Sequence, residues 1–464
     1  MRLYDQATGT LRWPAYAALF VVGLVVYGLV AGATRLTHQS EAPHFVYQAD
    51  AWLHGHADVA PPLPNDDWAI VETVELDDGS QVAGRRMLTQ QKFQLLGGGE
   101  IDAVHVRRSL AFTAFVSFPA LPSVIMLPGA LLAGRKANDV IPTLLVAALI
   151  LPLALLALRR LASAGVSQRS ITDDLWLVAT LAFGSVLFFS SVQGKVWYTA
   201  HVVGVALSLV YLWASIEAKR PVAAGLALGA AALTRTAMAF MFPLFLLELW
   251  RVSKHDRKQL VRTLVKFAVP IVGFAILGMI YNELRFHSLT EFGHRYLALG
   301  NHQPVRQQQQ IETYNLASAH YLGRNLAVAF AQIPEFSPFK INGHGLAMWI
   351  TTPLLVWVVW PKRRGPTHLA LWLTVVFVAL PSLLYMNSGW FQFGYRFSLD
   401  YLVFLIALIA VGGRSLGWIA RGLMLLGIAI NLFGAVTFGR PNDFYKYDYD
   451  HIKVPFGAVD NNRP

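Results

Sequence analysis

The chain of 464 residues has no cysteine, which excludes disulfides, thiolate metal sites and cysteine nucleophiles and is compatible with an oxidising compartment. Charge is also scarce. Asp, Glu, Lys and Arg make up 14% of the residues, where soluble domains carry about a quarter. Other chemistries are missing as well: there is no cluster with metal-ligand spacing and no Gly-rich loop able to cradle phosphates. Gly97-Gly98-Gly99 lacks the preceding strand and helix start of a dinucleotide site and reads as a hinge.

What is abundant is apolar. Hydrophobic residues account for 55% and the mean hydropathy is +0.45. Runs near 20 residues, long enough to cross about 30 Å of hydrocarbon as helices, recur from Pro14–Ala33 to Leu416–Val436. The net charge of +11 does not indicate nucleic acid, because the basic residues cluster at the ends of apolar runs, where they orient helices. The first run ends in Ala31-Gly32-Ala33 but is too long for a signal-peptide core, and so reads as an uncleaved signal anchor.

The expected fold is all-α and polytopic, with about eleven transmembrane helices (range ten to thirteen). Candidate spans lie near 14–33, 139–158, 174–192, 197–217, 221–234, 237–250, 267–284, 346–360, 368–386, 399–412 and 416–436. With Arg2 and Arg12 cytoplasmic, the positive-inside rule is met by Arg159, Arg160 and Arg169, by Lys219 and Arg220, by the run Arg251, Lys254, Arg257, Lys258, Arg262 and Lys266, and by Lys362, Arg363 and Arg364. Phe118–Gly134, with three prolines, fits this scheme only as a re-entrant or interfacial segment.

The resulting organisation is an N-terminal segment and anchor (1–34), a large first external loop (35–138), transmembrane helices (139–285), a second external loop (286–344), further transmembrane helices (345–439) and an external tail (440–464). In the first loop, Trp68–Val74 and Gln81–Arg86 flank Asp77-Asp78-Gly79 and predict a small β-hairpin.

Polar residues converge on the external side. Ser40–Gly55 has helical spacing of Phe45, Ala49, Trp52 and Leu53 and would lie along the surface, with Glu41 at its start. Glu41 there either caps the helix or acts as a general base on a hydroxyl at the bilayer surface. Lys195, Tyr198 and His201 open the fourth span, as an interfacial belt or as part of a pocket.

Arg235 sits in a turn so tight that it must lie near the external surface, where it meets a carboxylate of the protein or a phosphate, the phosphate being favoured. Arg396 and Asp400 are four residues apart and either pair or contribute, with Arg324, to an anion clamp. Glu291–Tyr296 adds Arg295. Asp66-Asp67 and Asp77-Asp78 are explained by turn chemistry, with a cation as the alternative.

Ser40-Glu41-Ala42-Pro43-His44-Phe45 and Trp52-Leu53-His54-Gly55 resemble the signature that follows the first span in the GT-C glycosyltransferase superfamily, an acidic segment of the type Gly-Asp-Glu-Pro-His-Tyr and a helix ending in Leu-Leu-x-Gly. Val116–Pro122 is similar to the superfamily's proline-rich juxtamembrane helix, and Leu233-Thr234-Arg235 to its Leu-Thr-Arg turn. The protein O-mannosyltransferases, aminoarabinose transferases and lipopolysaccharide-core transferases are the nearest group in kind. Glu41 stands where Asp is usual, Ala42 replaces the second acid, and Thr236 stands where Pro is usual.

The resemblance implies a GT-C-like arrangement in a bacterial inner membrane with a periplasmic active site, and inverting transfer of a hexosyl or pentosyl group from a polyprenyl-phosphate donor to a glycan, glycolipid or protein hydroxyl. It implies Glu41 as base, with Asp50 behind it; Arg235, Arg324, Arg396 and Lys195 at the donor phosphate; and His44, His201, Tyr198 and Arg295 lining the pocket. No cofactor is firmly implied, and a divalent cation is left open. Nucleic acid is not an expected partner. A transporter or lipid-linked-sugar flippase, or a noncatalytic envelope-assembly protein, are the competing readings.

Overall fold

The computed structural model describes residues 4–5, 10–11, 13–297, 305–454 and 457–460. Seven of the eleven expected spans are continuous helical segments long and apolar enough to cross a membrane: α1 (Trp13–Thr37), α4 (Val140–Ser163), α7 (Val196–Ser215, with a further turn to Ala218), the segment Thr236–Ser253, α10 (Arg257–Phe286), α14 (Pro366–Leu384) and α16 (Trp418–Thr437). The segment Thr236–Ser253 is a 3-10 turn leading into α9 (Pro243–Ser253).

The other four expected spans are shorter, each for a local reason. The run 174–192 breaks into α5 (Ile171–Ala182) and α6 (Leu187–Ser191) around Gly184-Ser185, where Gly weakens helix and the Ser185 hydroxyl turns back onto the Leu181 carbonyl. The run 346–360 yields only α13 (Met348–Thr351) and a 3-10 turn, because Pro353 holds Thr352 out of the helical region (φ −135, ψ 74). Helices α8 (Pro221–Ala232) and α15 (Leu402–Val411) have 12 and 10 residues, and every residue of α15 is buried, making it a core helix. The basic run 257–266 belongs to the first turns of α10, whose Ncap Asp256 accepts from the Gln259 N–H.

The helices stack in two rows. In one, α1 packs along α4, α4 along α7, α7 along α8 and α8 along α10; in the other, α14 packs against α9 and α15, and α16 against α6. Close approach of α8 and α10 is set by Gly225 and Gly229, four residues apart: a side chain at Gly225 would overlap the Phe267 carbonyl, and one at Gly229 would reach Phe274. The helix outer surfaces carry exposed Leu29, Leu277, Val269 and Leu369, as lipid-facing surfaces do.

The expected hairpin is present but is part of a larger sheet. Beyond the short pair β1 (Tyr4–Asp5) and β2 (Thr10–Leu11), strands β3 (Trp68–Leu76), β4 (Gln81–Arg86), β5 (Lys92–Leu95), β6 (Glu100–Asp102) and β7 (Val106–Val116) form an antiparallel sheet in the order β6-β5-β4-β3-β7. β7 was not predicted, since its exposed face gives no alternation over Arg107–Phe112. Trp68 pairs with Val116 at the end of the sheet nearest the helices. There Phe286 at the end of α10 packs edge-on against Phe115 (5.3 Å between ring centroids) and stacks on Tyr296, and Arg285 donates to the Val116 carbonyl (2.7 Å).

Residues 40–55 form α2 (His44–Leu53), which packs on the turns of 121–126 and on α3 (Leu127–Ala133). The segment 118–134 is thus a pair of short helical turns, neither long enough to cross. Pro43, not Glu41, occupies the Ncap of α2 and offers no side-chain cap.

Candidate functional site

Where the sheet layer meets the helix rows, the chain encloses a cavity of about 380 Å³. Its walls come from seven places in the sequence: Asp67 before β3, Phe118 and Pro119 after β7, Trp197 and Ala200 on α7, the Thr234–Ala237 turn, Phe292, His294 and Leu297 after α10, Leu316 and Ala317, and the end of α14 with the loop to Phe397. Three charged side chains line it: Asp67, Arg235 and Arg396.

Asp67 is held on every side. Its backbone takes a left-handed conformation (φ 71), its carbonyl accepts from Ser117 Oγ (2.9 Å), and its Oδ2 accepts from Trp197 Nε1 (2.8 Å). The adjacent Asp66 carbonyl accepts from His44 Nε2 (2.8 Å), and the His44 ring stacks on Trp68 (3.9 Å, 12°). Burial lowers His44 to about 4, so it is a neutral donor at pH 7. The part of Asp67 that stays accessible faces the cavity; withdrawal from bulk water pushes its carboxyl up to about 6, against the Trp197 hydrogen bond and the positive charge of Arg396.

Of the two anions expected at Arg235, the structure shows the carboxylate of the protein. Its Nε and Nη2 donate to the two oxygens of Asp400 (3.0 and 2.9 Å), and His201 Nδ1 completes the group at 3.0 Å. Asp400 and His201 are fully buried while Arg235 keeps one-fifth of its side chain accessible at the cavity wall. Asp400 is thereby neutralised in a medium where an isolated charge is costly.

Of the two alternatives for Arg396, pairing with Asp400 does not form. Both lie in the 3-10 turn Arg396–Asp400, but Arg396 turns toward the cavity. It donates to the Gly389 carbonyl and stands over the rings of Tyr198 (5.5 Å) and Phe397 (5.3 Å). Its Nε is buried without a hydrogen-bond partner, and among the described residues no carboxylate forms an ion pair with it. A buried guanidinium in that condition favours an anion beside it. Tyr198 supports this arm by donating to the Phe391 carbonyl (2.8 Å).

The remaining sequence-nominated residues lie outside the cavity. Glu41 is mostly exposed and pairs with Lys195 (2.7 Å), whose hydrogen bond and charge hold its carboxyl below the ordinary range. Lys195 is the Ncap of α7, and neither it nor Glu41 lines the cavity. Asp50 lies 3.7 Å from Arg135. Arg324 is buried and donates to the carbonyls of Tyr385 (3.3 Å) and Met386 (2.6 Å), two residues of the cavity wall, which makes it a support for that wall. Arg295 is exposed beside Glu291 (3.6 Å), whereas its neighbour His294 lines the cavity and is lowered to about 4 by burial.

Asp67 and His294 are the cavity groups that sequence reading passed over. The only signal for Asp67 was a second acid in a turn next to an aromatic, which turn chemistry explains equally well. Among the described residues no group of three or more His, Asp or Glu is placed to hold a metal ion.

The helices and the sheet define a polytopic helical membrane protein with an extramembrane β-layer. No protein-family model matches the chain, and no curated protein matches it in sequence. Two solved structures are similar, both of the oligosaccharyltransferase of Archaeoglobus fulgidus. One, the apo form, is 11% identical with a TM-score of 0.43; the other, in complex with an inhibitory peptide and a dolichol-phosphate, is 10% identical with a TM-score of 0.44. Each alignment covers 93% of this chain and 57% of that chain, so the protein spans little more than half the length of these neighbours.

Proposed function

We propose that the protein is a membrane glycosyltransferase that moves a hexosyl or pentosyl group from a polyprenyl-phosphate donor to an acceptor hydroxyl, on the periplasmic face of a bacterial inner membrane. The observation that carries this reading is the convergence of one carboxylate of raised pKa and one guanidinium without a carboxylate partner on a single cavity between the helices and the sheet. Such a pair matches the demands of the reaction. A base must take a proton from the acceptor, and a cation must offset charge that builds on the leaving phosphate.

In this reading Asp67 accepts the proton of the acceptor hydroxyl. The freed oxygen attacks the anomeric carbon from the face opposite the phosphate, the bond from that carbon to the phosphate oxygen breaks, and the bonding pair leaves with the polyprenyl phosphate, inverting the centre. Arg396 faces the departing phosphate. Arg235, already compensated by Asp400, positions the wall and contributes less charge. Pro381, Leu384 and Phe397 supply an apolar surface for the isoprenoid. A glycan, glycolipid or protein all remain within the class of acceptor.

The superfamily signature favours Glu41 as base; its exposure, its low pKa and its pairing with Lys195 favour Asp67 in its place. The test is sugar transfer from a panel of polyprenyl-phosphate sugars by protein reconstituted in lipid, comparing Asp67→Asn, Glu41→Gln and Arg396→Gln, each checked for folding. Loss in Asp67→Asn and Arg396→Gln with retention in Glu41→Gln is expected. Retention in Asp67→Asn with loss in Glu41→Gln moves the base to Glu41, and donor movement across the vesicle without transfer replaces the enzyme with a transporter.

A further inference from the structure

A second concavity, of about 460 Å³, lies at the opposite end of α14. Pro381, Ser382 and Leu384 of that helix line the large cavity, whereas Gly365, His368, Leu369 and Trp372 line the second cleft. The helix has 19 residues, about 28 Å at 1.5 Å per residue, so the two concavities open near opposite faces of the bilayer.

The cleft has the parts of an anion site. It is built on the N-terminus of a long helix whose Ncap, Gly365, supplies no side-chain cap and whose N1 residue, Pro366, has no N–H, so what this end brings to the cleft is the positive end of the helix dipole. His368, 8% exposed, lines it, and its Nε2 is buried without a hydrogen-bond partner. Arg364 is an exposed lining residue that forms no ion pair among the described residues, and Lys362, Arg363 and Arg414 beside it form none either. The nearest carboxylate, Glu248, is turned inward, where it accepts from Thr367 Oγ1 (2.6 Å) and pairs with Arg251 (2.7 Å).

The other half of the cleft is apolar and open to the side. Val359, Trp360 and Leu369 are 69, 65 and 57% exposed at or beside it, on surfaces that face hydrocarbon and its interface. A free phosphate would use the polar half and leave this wall uncovered. A phosphodiester carrying acyl chains would use both.

We infer that this cleft is a binding site for an anionic phospholipid, with the headgroup phosphate between Arg364, His368 and the α14 N-terminus and an acyl chain along Val359, Leu369 and Trp372. The site is independent of the chemistry at the other end of the helix.

Native mass spectrometry of the full chain in detergent tests it with phosphatidylglycerol and phosphatidylcholine of identical acyl chains. Phosphatidylglycerol should be retained in preference, and Arg364→Gln should reduce that preference about fivefold, the size expected for one surface cation facing an anionic lipid. His368→Gln should reduce it as well; should that variant misfold, the exposed Arg364 decides alone. Arg257→Gln, an exposed cation of another basic segment, should leave the preference unchanged. Equal retention of the two lipids, an undiminished preference in Arg364→Gln, or an equal loss in Arg257→Gln overturns the site. Displacement of the lipid by inorganic phosphate overturns its assignment to a lipid.

Discussion

Replacing Trp197 with Phe removes one hydrogen-bond donor from Asp67 and keeps an aromatic ring in the cavity wall. The indole Nε1 lies 2.8 Å from Oδ2 and stabilises the ionised carboxylate, opposing the burial that raises Asp67 to about 6. Hydrogen bonds to charged groups contribute roughly 1.5–3 kcal/mol, and one pKa unit corresponds to about 1.4 kcal/mol. Since Asp67 keeps some access to the cavity, the low end applies, and the substitution should raise its pKa by about one unit. A base must be ionised to work. The ascending limb of kcat/KM against pH should therefore move upward by about one pH unit in Trp197→Phe, with up to about a tenfold loss on the acid side and little change well above the limb. The assay is a pH series of sugar transfer in lipid, with folding checked at each pH. An ascending limb that stays near 6, or moves down, refutes the role of Asp67.

The same carboxylate makes a prediction for stability. Because its folded pKa is raised from 3.8, its contribution is fully present below the unfolded value and is lost as pH rises through about 6, so wild type should lose thermal stability relative to Asp67→Asn over that window. Asp400→Asn should destabilise by about 3–5 kcal/mol in unfolding titrations, because it leaves the Arg235 cation beside a buried neutral amide and strands His201; a loss below about 1 kcal/mol would show the triad to be incidental. Gly225→Ala forces a methyl onto the Phe267 carbonyl and should cost about 1–3 kcal/mol by separating α8 from α10, measured as a fall in Tm. Glu41→Gln breaks an exposed ion pair and should change stability by less than about 1 kcal/mol.

Much of the architecture was legible because the bilayer imposes long apolar runs and because basic residues mark one side. The anchor, Val140–Ser163 and Trp418–Thr437 were expected within a few residues of their ends. Runs 174–192 and 346–360 misled because their composition is that of a span, while Gly184-Ser185 and Pro353 interrupt the backbone without lowering the mean hydropathy. The hairpin was legible from its turn; β7 was not, since pairing with β3 depends on partners far away in sequence, from Leu76 with Val106 to Trp68 with Val116.

By itself, the sequence determined a many-span membrane protein, and it nominated a set of cations for the site. Tertiary structure decided which of them are available. Arg235 is matched by Asp400, Lys195 by Glu41 and Arg324 by backbone carbonyls, leaving Arg396 turned to the cavity opposite Asp67. The reason is physical: an ionisable side chain is as useful as its unmatched charge, and the match is made by residues brought close through helix packing, at separations that no local pattern encodes.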